Sequence, residues 1–261
     1  MSVVYLYDGS FEGLMTAVYE GYYTDHKPDA IITEDAYKPT FFDQTIVIYT
    51  DHIKTTKVVN SIKEKLGEEV LQTILYAFLS EDEELGTLVY RFIRVAFKIG
   101  PSCLEYRAHE DIGPVLDLYR KVTRESHHLL GLIRFMELES NVLYSQFEGT
   151  HNVLSILGSH FFNRLSGERW ILHDLKRSTA VLCDGESWNI QEVQLPENVK
   201  FHEREELFQE LWQTYYKHIA IQERVNPKLQ MQNMPKKYWK YLIEMSSPFE
   251  KQKPRLSSNR A

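Results

Sequence analysis

The side chains able to do chemistry are concentrated between Thr123 and Arg177. The chain reads TRESHHLLGLIRF there, then a short hairpin, then HNVLSILGSHFFNRLSGERWILHDLKR. A charge set into an apolar pattern must find a partner or face a cleft. The candidates for moving a proton are His127, His151, His160 and Asp174, with His160 working beside Asp174 or His127 beside Glu125. At about 100° per residue, His160 and Arg164 fall with Val153 and Leu157 on the apolar side of a helix predicted over 151–165. A buried arginine needs a carboxylate or an anionic ligand, and Asp174 is its simplest protein partner. As metal ligands, His127, His128, His151, His160, His173 and Asp174 make a poor site, because no histidines pair in H-x3-H spacing on one helix face with a flanking glutamate. His151 and His160 would stand about 13 Å apart along a helix axis. There is no G-x-S-x-G, no phosphate-cradling glycine loop and no G-x-G-x-x-G. Neither a metal nor a cofactor is expected.

A second constellation lies near the C-terminus, where Gln222 opens QERVNPKLQMQNMPKKYWKYLIEM. Arg224, Asn226, Lys228, Lys236, Lys237 and Lys240 interleave there with Tyr238, Trp239 and Tyr241. Basic groups neutralise phosphates and aromatic faces stack on bases, so this pattern suits a nucleic acid. Arg124, Arg164, Lys176 and Arg177 are the basic residues of the central stretch that could join it. The competing reading has Tyr238 and Trp239 docking the segment onto the body while the lysines face water.

These groups need elements to position them. Val3–Tyr7 is predicted as a strand and Asp8-Gly9-Ser10 as the cap of the helix that follows. A polar connection leads to a second strand at Thr45–Thr50. Three helices follow, the first capped by Asp51 and closed by Gly67, the last ended by Gly100-Pro101. A long helix over 111–132 carries Val115, Tyr119, Val122, Leu129 and Ile133 in one stripe, with Arg120, Arg124 and His127 on its flank. A hairpin turns at Ser140-Asn141. Trp170–Leu175, Thr179–Cys183 and Ser187–Val193 form an antiparallel meander. Pro196 breaks the pattern, and a last amphipathic helix turns Leu207, Phe208, Leu211, Trp212, Tyr215 and Ile219 inward. The class is α+β, a helical bundle packed with antiparallel hairpins and a meander, plus a helical basic C-terminal segment. The expected organisation is a main domain over 1–200, the C-terminal helix and basic–aromatic segment over 201–246 packed on it, and a disordered tail over 247–261.

Composition bounds the function. Hydrophobic residues make up 43% of the 261, enough for an ample core. No apolar run approaches the ~18 residues of a membrane span, so no membrane partner is expected. The N-terminus lacks a basic, apolar leader and reads as a first strand. Only two cysteines occur, Cys103 and Cys183, which fits a reducing cytoplasm and cannot supply a four-thiolate iron–sulfur cluster. Charge is unevenly spread: from Lys217 onward ten Lys/Arg face three Asp/Glu, while residues 1–216 hold 20 against 34. An acidic body with a basic end calls for an anionic partner.

Taken together, YDGSFEG at Tyr7–Gly13, YRFIR at Tyr90–Arg94, KVTRESHHLLGLIRF at Lys121–Phe135, HNVLSILGSHFFNRL at His151–Leu165, RWILHDLKR at Arg169–Arg177 and NPKLQMQNMPKKYWK at Asn226–Lys240 resemble the bacterial proteins known as probable DNA metabolism proteins. The resemblance implies a cytoplasmic accessory protein of DNA modification or repair. Its partners would be DNA or another nucleic acid and a radical S-adenosylmethionine protein on which the metal chemistry takes place. Some members carry a fused uracil-DNA-glycosylase-like domain; this chain does not, so that activity does not transfer. The alternative is an enzyme in its own right, acting on a base or a phosphodiester through a pocket of His, Arg and Asp.

Overall fold

A computed structural model describes residues 2–25, 27–194 and 200–245. The architecture is α+β, and the chain divides into two compact units, Met1–Thr123 and Arg124–Ala261. The break predicted at Pro196 and the tail predicted for 247–261 lie outside the described residues.

The first unit is built on a three-stranded parallel sheet. Strand β1 (Ser2–Tyr7) is flanked by β2 (Ala30–Thr33) on one side and β3 (Asp43–Val47) on the other. Parallel neighbours require a crossover, and α1 (Phe11–Tyr23) supplies the one from β1 to β2. The Ser10 hydroxyl starts that helix by accepting from the Gly13 N–H at 2.9 Å. The sequence reading takes 30–33 as part of a polar connection and the second strand as Thr45–Thr50. The structure makes AIIT a strand and ends β3 at Val47. Four residues between prolines and charges are too few to show a period.

Helices α2 (His52–Leu66), α3 (Glu68–Phe78) and α4 (Leu85–Ile99) complete this unit. Asp51 caps α2 through Ile53 and Lys54 N–H, and Gly67, at φ 98°, closes it, both as predicted. Leu14, Met15, Ile31, Ile62, Ile74 and Phe92 form the fully buried centre. Edge strand β2 needs its backbone groups satisfied. The Thr87 hydroxyl of α4 does this, accepting from Ile31 N–H at 3.0 Å and donating to Ile31 C=O at 3.2 Å. That approach requires a glycine beside it, since a Cβ on Gly86 would lie 2.4 Å from the Ile31 carbonyl oxygen. Gly86→Ala should therefore cost about 2 kcal/mol of stability in chemical denaturation, despite alanine's better helix propensity. Gly131→Ala, where nothing lies within 4 Å, is the control and should be neutral or slightly stabilising.

In the second unit the sheet has five strands in sequence order: β4 (Met136–Glu137), β5 (Leu143–Phe147), β6 (Trp170–Asp174), β7 (Thr179–Cys183) and β8 (Trp188–Glu192). The hairpin at Ser140-Asn141 and the antiparallel meander form as expected. What the sequence does not display is their junction: β5 and β6 run parallel, with α6 (Leu154–Arg164) as the crossover. Phe135, Phe161 and Trp170 pack edge-to-face at 5.1 to 6.4 Å, and Tyr144, Phe147, Leu157 and Val181 are buried with them. Helix α5 (Gly113–Leu132) contributes Leu129 and Leu132 to the buried set.

The C-terminal segment starts with α7 (Glu205–Ile219) and continues through α8 (Pro227–Asn233) into a 3-10 turn over Lys236–Tyr241. Asn226 caps α8 by accepting from Leu229 N–H at 3.1 Å, Pro227 takes the first helical position, and the helix stops before Met234-Pro235, where the proline drives the preceding residue out of helical geometry. Helix α7 overturns its expectation. Leu207, Phe208, Leu211, Tyr215 and Ile219 are more than half exposed, and Trp212 is 38% exposed. The side turned inward is polar. Glu205 accepts from Glu137 N–H at 2.9 Å, Gln213 donates to Ile243 C=O at 2.9 Å, and the Tyr216 hydroxyl meets Gln230. No described helix is long and apolar enough to cross a membrane.

Candidate functional site

The parallel pairing of β5 with β6 sets Phe147 level with Asp174, so both strands end at one edge of the sheet. Carboxyl ends of parallel strands are where loops gather and ligands bind in open sheets. Two loops leave this edge, Glu148–Val153 into α6 and Leu175–Ser178 into β7, and they are tied by Leu175 N–H to Phe147 C=O at 2.9 Å.

Two buried carboxylates organise these loops. Glu125 of α5 is 7% exposed. One oxygen accepts from Thr150 N–H at 2.9 Å, from the Lys237 ammonium at 2.7 Å and from the Tyr238 hydroxyl; the other accepts from His151 N–H at 2.8 Å. Burial alone would raise its pKa, but these donors outweigh it and hold the carboxyl at about 2. Asp174, at 0% exposure, accepts from the Arg177 guanidinium at 2.7 Å and from Lys176 N–H at 3.1 Å. Burial pushes its carboxyl above the usual value against the pull of Arg177.

Around the carboxylates sits a rim of cations. Lys176 and Arg177 both donate to the Thr150 carbonyl, at 3.0 and 3.1 Å. Lys240 pairs with Glu148 at 2.8 Å; partial burial raises that carboxyl, but hydrogen bonds from Lys240 and Tyr241 together with the lysine's charge bring it below its usual value. His128 is held below its ordinary value first by burial and then by the positive charges of Arg124, His127 and Lys237. Five Lys/Arg (Arg124, Lys176, Arg177, Lys237 and Lys240) thus gather with three carboxylates (Glu125, Glu148 and Asp174), drawn from α5, β6, the two loops and the 3-10 turn.

Several expectations need correction. His160 and Arg164 are exposed on α6, and the partner of Asp174 is Arg177, three residues away. The helix begins at Leu154, three residues later than predicted, and its interior face is carried by Leu154, Leu157, Gly158 and Phe161. His127 is exposed, while Glu125 spends its oxygens on Thr150, His151, Lys237 and Tyr238. Tyr238 is 2% exposed, so it has no face to offer a base. Trp239 is half-buried, its indole N–H donating to Met234 C=O at 2.7 Å and its ring covered by Lys236 at 5.8 Å. Asn226 serves as a helix cap, and Arg224 and Lys228 are exposed on either side of it.

His173 stands outside the residues expected to move a proton. It is 4% exposed and kept neutral by burial, with Nδ1 3.2 Å from the Tyr144 hydroxyl and no partner at Nε2 among the described residues. Among the described residues no group of three or more His, Cys, Asp or Glu is placed to hold a metal ion. Both cysteines are buried, and burial raises the Cys103 thiol.

Fold and site define an α+β protein whose second unit presents a carboxylate-anchored, cation-rimmed loop cluster at the end of a parallel strand pair. The chain belongs to the family described as Domain of unknown function (DUF4130), whose model matches residues 83–244. That stretch takes in every residue of the cluster. No curated protein matches the chain.

Proposed function

We propose that the second unit binds a nucleic acid at the Thr150 loop and serves as an accessory protein of DNA modification or repair. The observation that carries this reading is the convergence of Lys176, Arg177, Lys237 and Arg124 on one loop cluster, held in place by carboxylates that are themselves buried. Fixed cations beside a strand-end loop suit a phosphate backbone, and their placement on several elements suits an extended polyanion. Contact is through phosphates with Trp239 at the margin; Tyr238 anchors the basic segment and does not stack. Any radical chemistry would lie on the radical S-adenosylmethionine partner that the resemblance implies, since two buried cysteines cannot supply a thiolate-bound cluster here.

The test is equilibrium binding of labelled single- and double-stranded DNA and RNA at two salt concentrations. The comparison is a variant with Arg124, Lys176 and Lys236 all changed to Glu. These side chains are exposed, so the fold should survive. The expected result is salt-sensitive binding that the variant weakens by at least about a hundredfold, with a salt slope smaller by about three. Equal binding by the variant, or none by the wild type at low salt, would overturn the proposal.

A further inference from the structure

The first unit holds a groove of about 520 Å³ between α1, α2 and α4, within the usual size of a small-molecule site. Helical spacing builds each wall. Tyr19, Tyr22 and Tyr23 of α1 fall within about 100° of one another, as do Lys57, Ser61, Glu64 and Lys65 of α2. Phe97 of α4 closes one end, and Val18, Val58 and Ile93 are buried and make the floor. An aromatic wall therefore faces a polar, charged one. The rings are open yet held: Tyr22 is 42% exposed and packs edge-to-face with Phe97 at 6.2 Å, while Tyr23 lies against Tyr19 at 4.5 Å. Burial pushes the Tyr22 hydroxyl up to about 12 against the pull of Arg94, so it is ring surface that Tyr22 leaves in the groove.

The order of groups along the polar wall indicates the ligand. Lys57 and Lys65 stand about 12 Å apart along α2, the first 5.7 Å over the Tyr19 ring and the second 5.9 Å over Phe97. Neither has a carboxylate within ion-pair reach among the described residues, whereas Lys54, at the margin, is committed to Glu20 at 2.6 Å and Asp51 at 3.6 Å. Uncommitted ammonium groups attract an anion, and flat open rings suit a flat ring. Ser61 and Glu64, between the lysines, suit hydroxyl and amino groups and disfavour an acyl chain. Tyr22, Phe97 and Glu64 gather at the Lys65 end, which leaves Lys57 for the anion. We propose that this groove binds a free nucleoside monophosphate, its base stacked on Tyr22 with an exocyclic amine toward Glu64, its sugar beside Ser61 and its phosphate on Lys57. The inference rests on the first unit alone and is independent of the nucleic-acid reading.

The experiment is isothermal titration calorimetry of the full chain with AMP, adenosine and inorganic phosphate. AMP should bind with a Kd below about 1 mM, and adenosine and inorganic phosphate at least about tenfold more weakly. Lys57→Gln, at an exposed site, should bring AMP down to the affinity of adenosine with an unchanged circular dichroism spectrum. Tyr22→Leu should also weaken AMP, whereas Tyr22→Phe should not. Lys63→Gln is the control and should change nothing, since Lys63 faces away from the groove and pairs with Glu68 at 3.2 Å. No binding of AMP would overturn the inference. So would inorganic phosphate binding as tightly as AMP, or equal losses in Lys57→Gln and Lys63→Gln. A single-stranded oligonucleotide that binds more tightly than AMP, and is weakened by Lys57→Gln and Tyr22→Leu, would overturn the free nucleotide in favour of a strand.

Discussion

Glu125→Gln should lower the unfolding free energy by about 3–5 kcal/mol, the usual cost of removing one member of a buried, charge-assisted set. Size does not rescue the substitution. Both oxygens of Glu125 accept a backbone N–H, from Thr150 and from His151. A glutamine must turn its NH2 toward one of those donors whichever way it flips. Lys237 contributes less than its short contact suggests, because its side chain is half in water; most of the loss comes from Tyr238 and the two amides. The variant also provides a pH test. The folded carboxyl sits at about 2, against an unperturbed 4.5. Between those values the unfolded chain takes up a proton that the folded chain refuses, so the stability Glu125 contributes is present above about 4.5 and lost as pH falls toward 2. The difference amounts to about 3 kcal/mol. His128 and His173, both depressed by burial, add a loss of the same sign that begins at the higher, histidine range. Denaturation midpoints followed from pH 7 to 3 should show both slopes in the wild type and a shallower acid limb in Glu125→Gln, where Glu148 and the other lowered carboxylates still contribute. An unchanged acid limb in the variant would show that Glu125 does not hold the loop.

Why Glu125 escaped notice as an anchor, when α5 itself was plain, is instructive. Val122 and Leu129 sit in the apolar stripe seven residues apart, and Glu125 falls between them on the same side. A carboxylate inside a stripe is a legible signal. Glu125 cannot pair with His127, because residues two apart on a helix point to nearly opposite sides, and Glu125 is buried while His127 is exposed. Likewise, Asp174 and Arg177 lie three residues apart across a strand end, where a turn brings them together, whereas Arg164 is exposed on α6 and needs no buried partner. Caps, glycine stops, the hairpin and the meander were legible because their chemistry is local. The parallel junction of β5 with β6 and the three-stranded parallel sheet were not, since crossover pairing is a long-range choice that no short window records. Helix α7 fails differently. Its period was read correctly and its direction was not, because an apolar face says only that something must cover it, not what.

Asp174→Ala should cost about 3–5 kcal/mol, while changing Arg177 to Met in the same chain should return much of that. The carboxylate is completely buried and Arg177 nearly so, at 0% and 11% side-chain exposure. Removing Asp174 strands a guanidinium that loses its carboxylate, with carbonyls at Gly149 and Thr150 too weak to replace it. Removing both leaves an apolar side chain with no buried charge to accommodate. Burial holds Asp174 above the ordinary carboxylate value even with Arg177 at 2.7 Å, so desolvation consumes much of the attraction, and the pair yields little net stability. Its use must then lie in position. Asp174 takes Lys176 N–H and aims Arg177 at the Thr150 carbonyl, which fixes the loop that Glu125 grips from the other side. A double-mutant cycle read by urea denaturation should give a coupling of at least about 2 kcal/mol. If the loop is the anion-binding feature, the double variant should regain stability but not nucleic-acid affinity. Recovery of both would make the pair a structural accident, and additive losses would mean that the two side chains do not act as a pair.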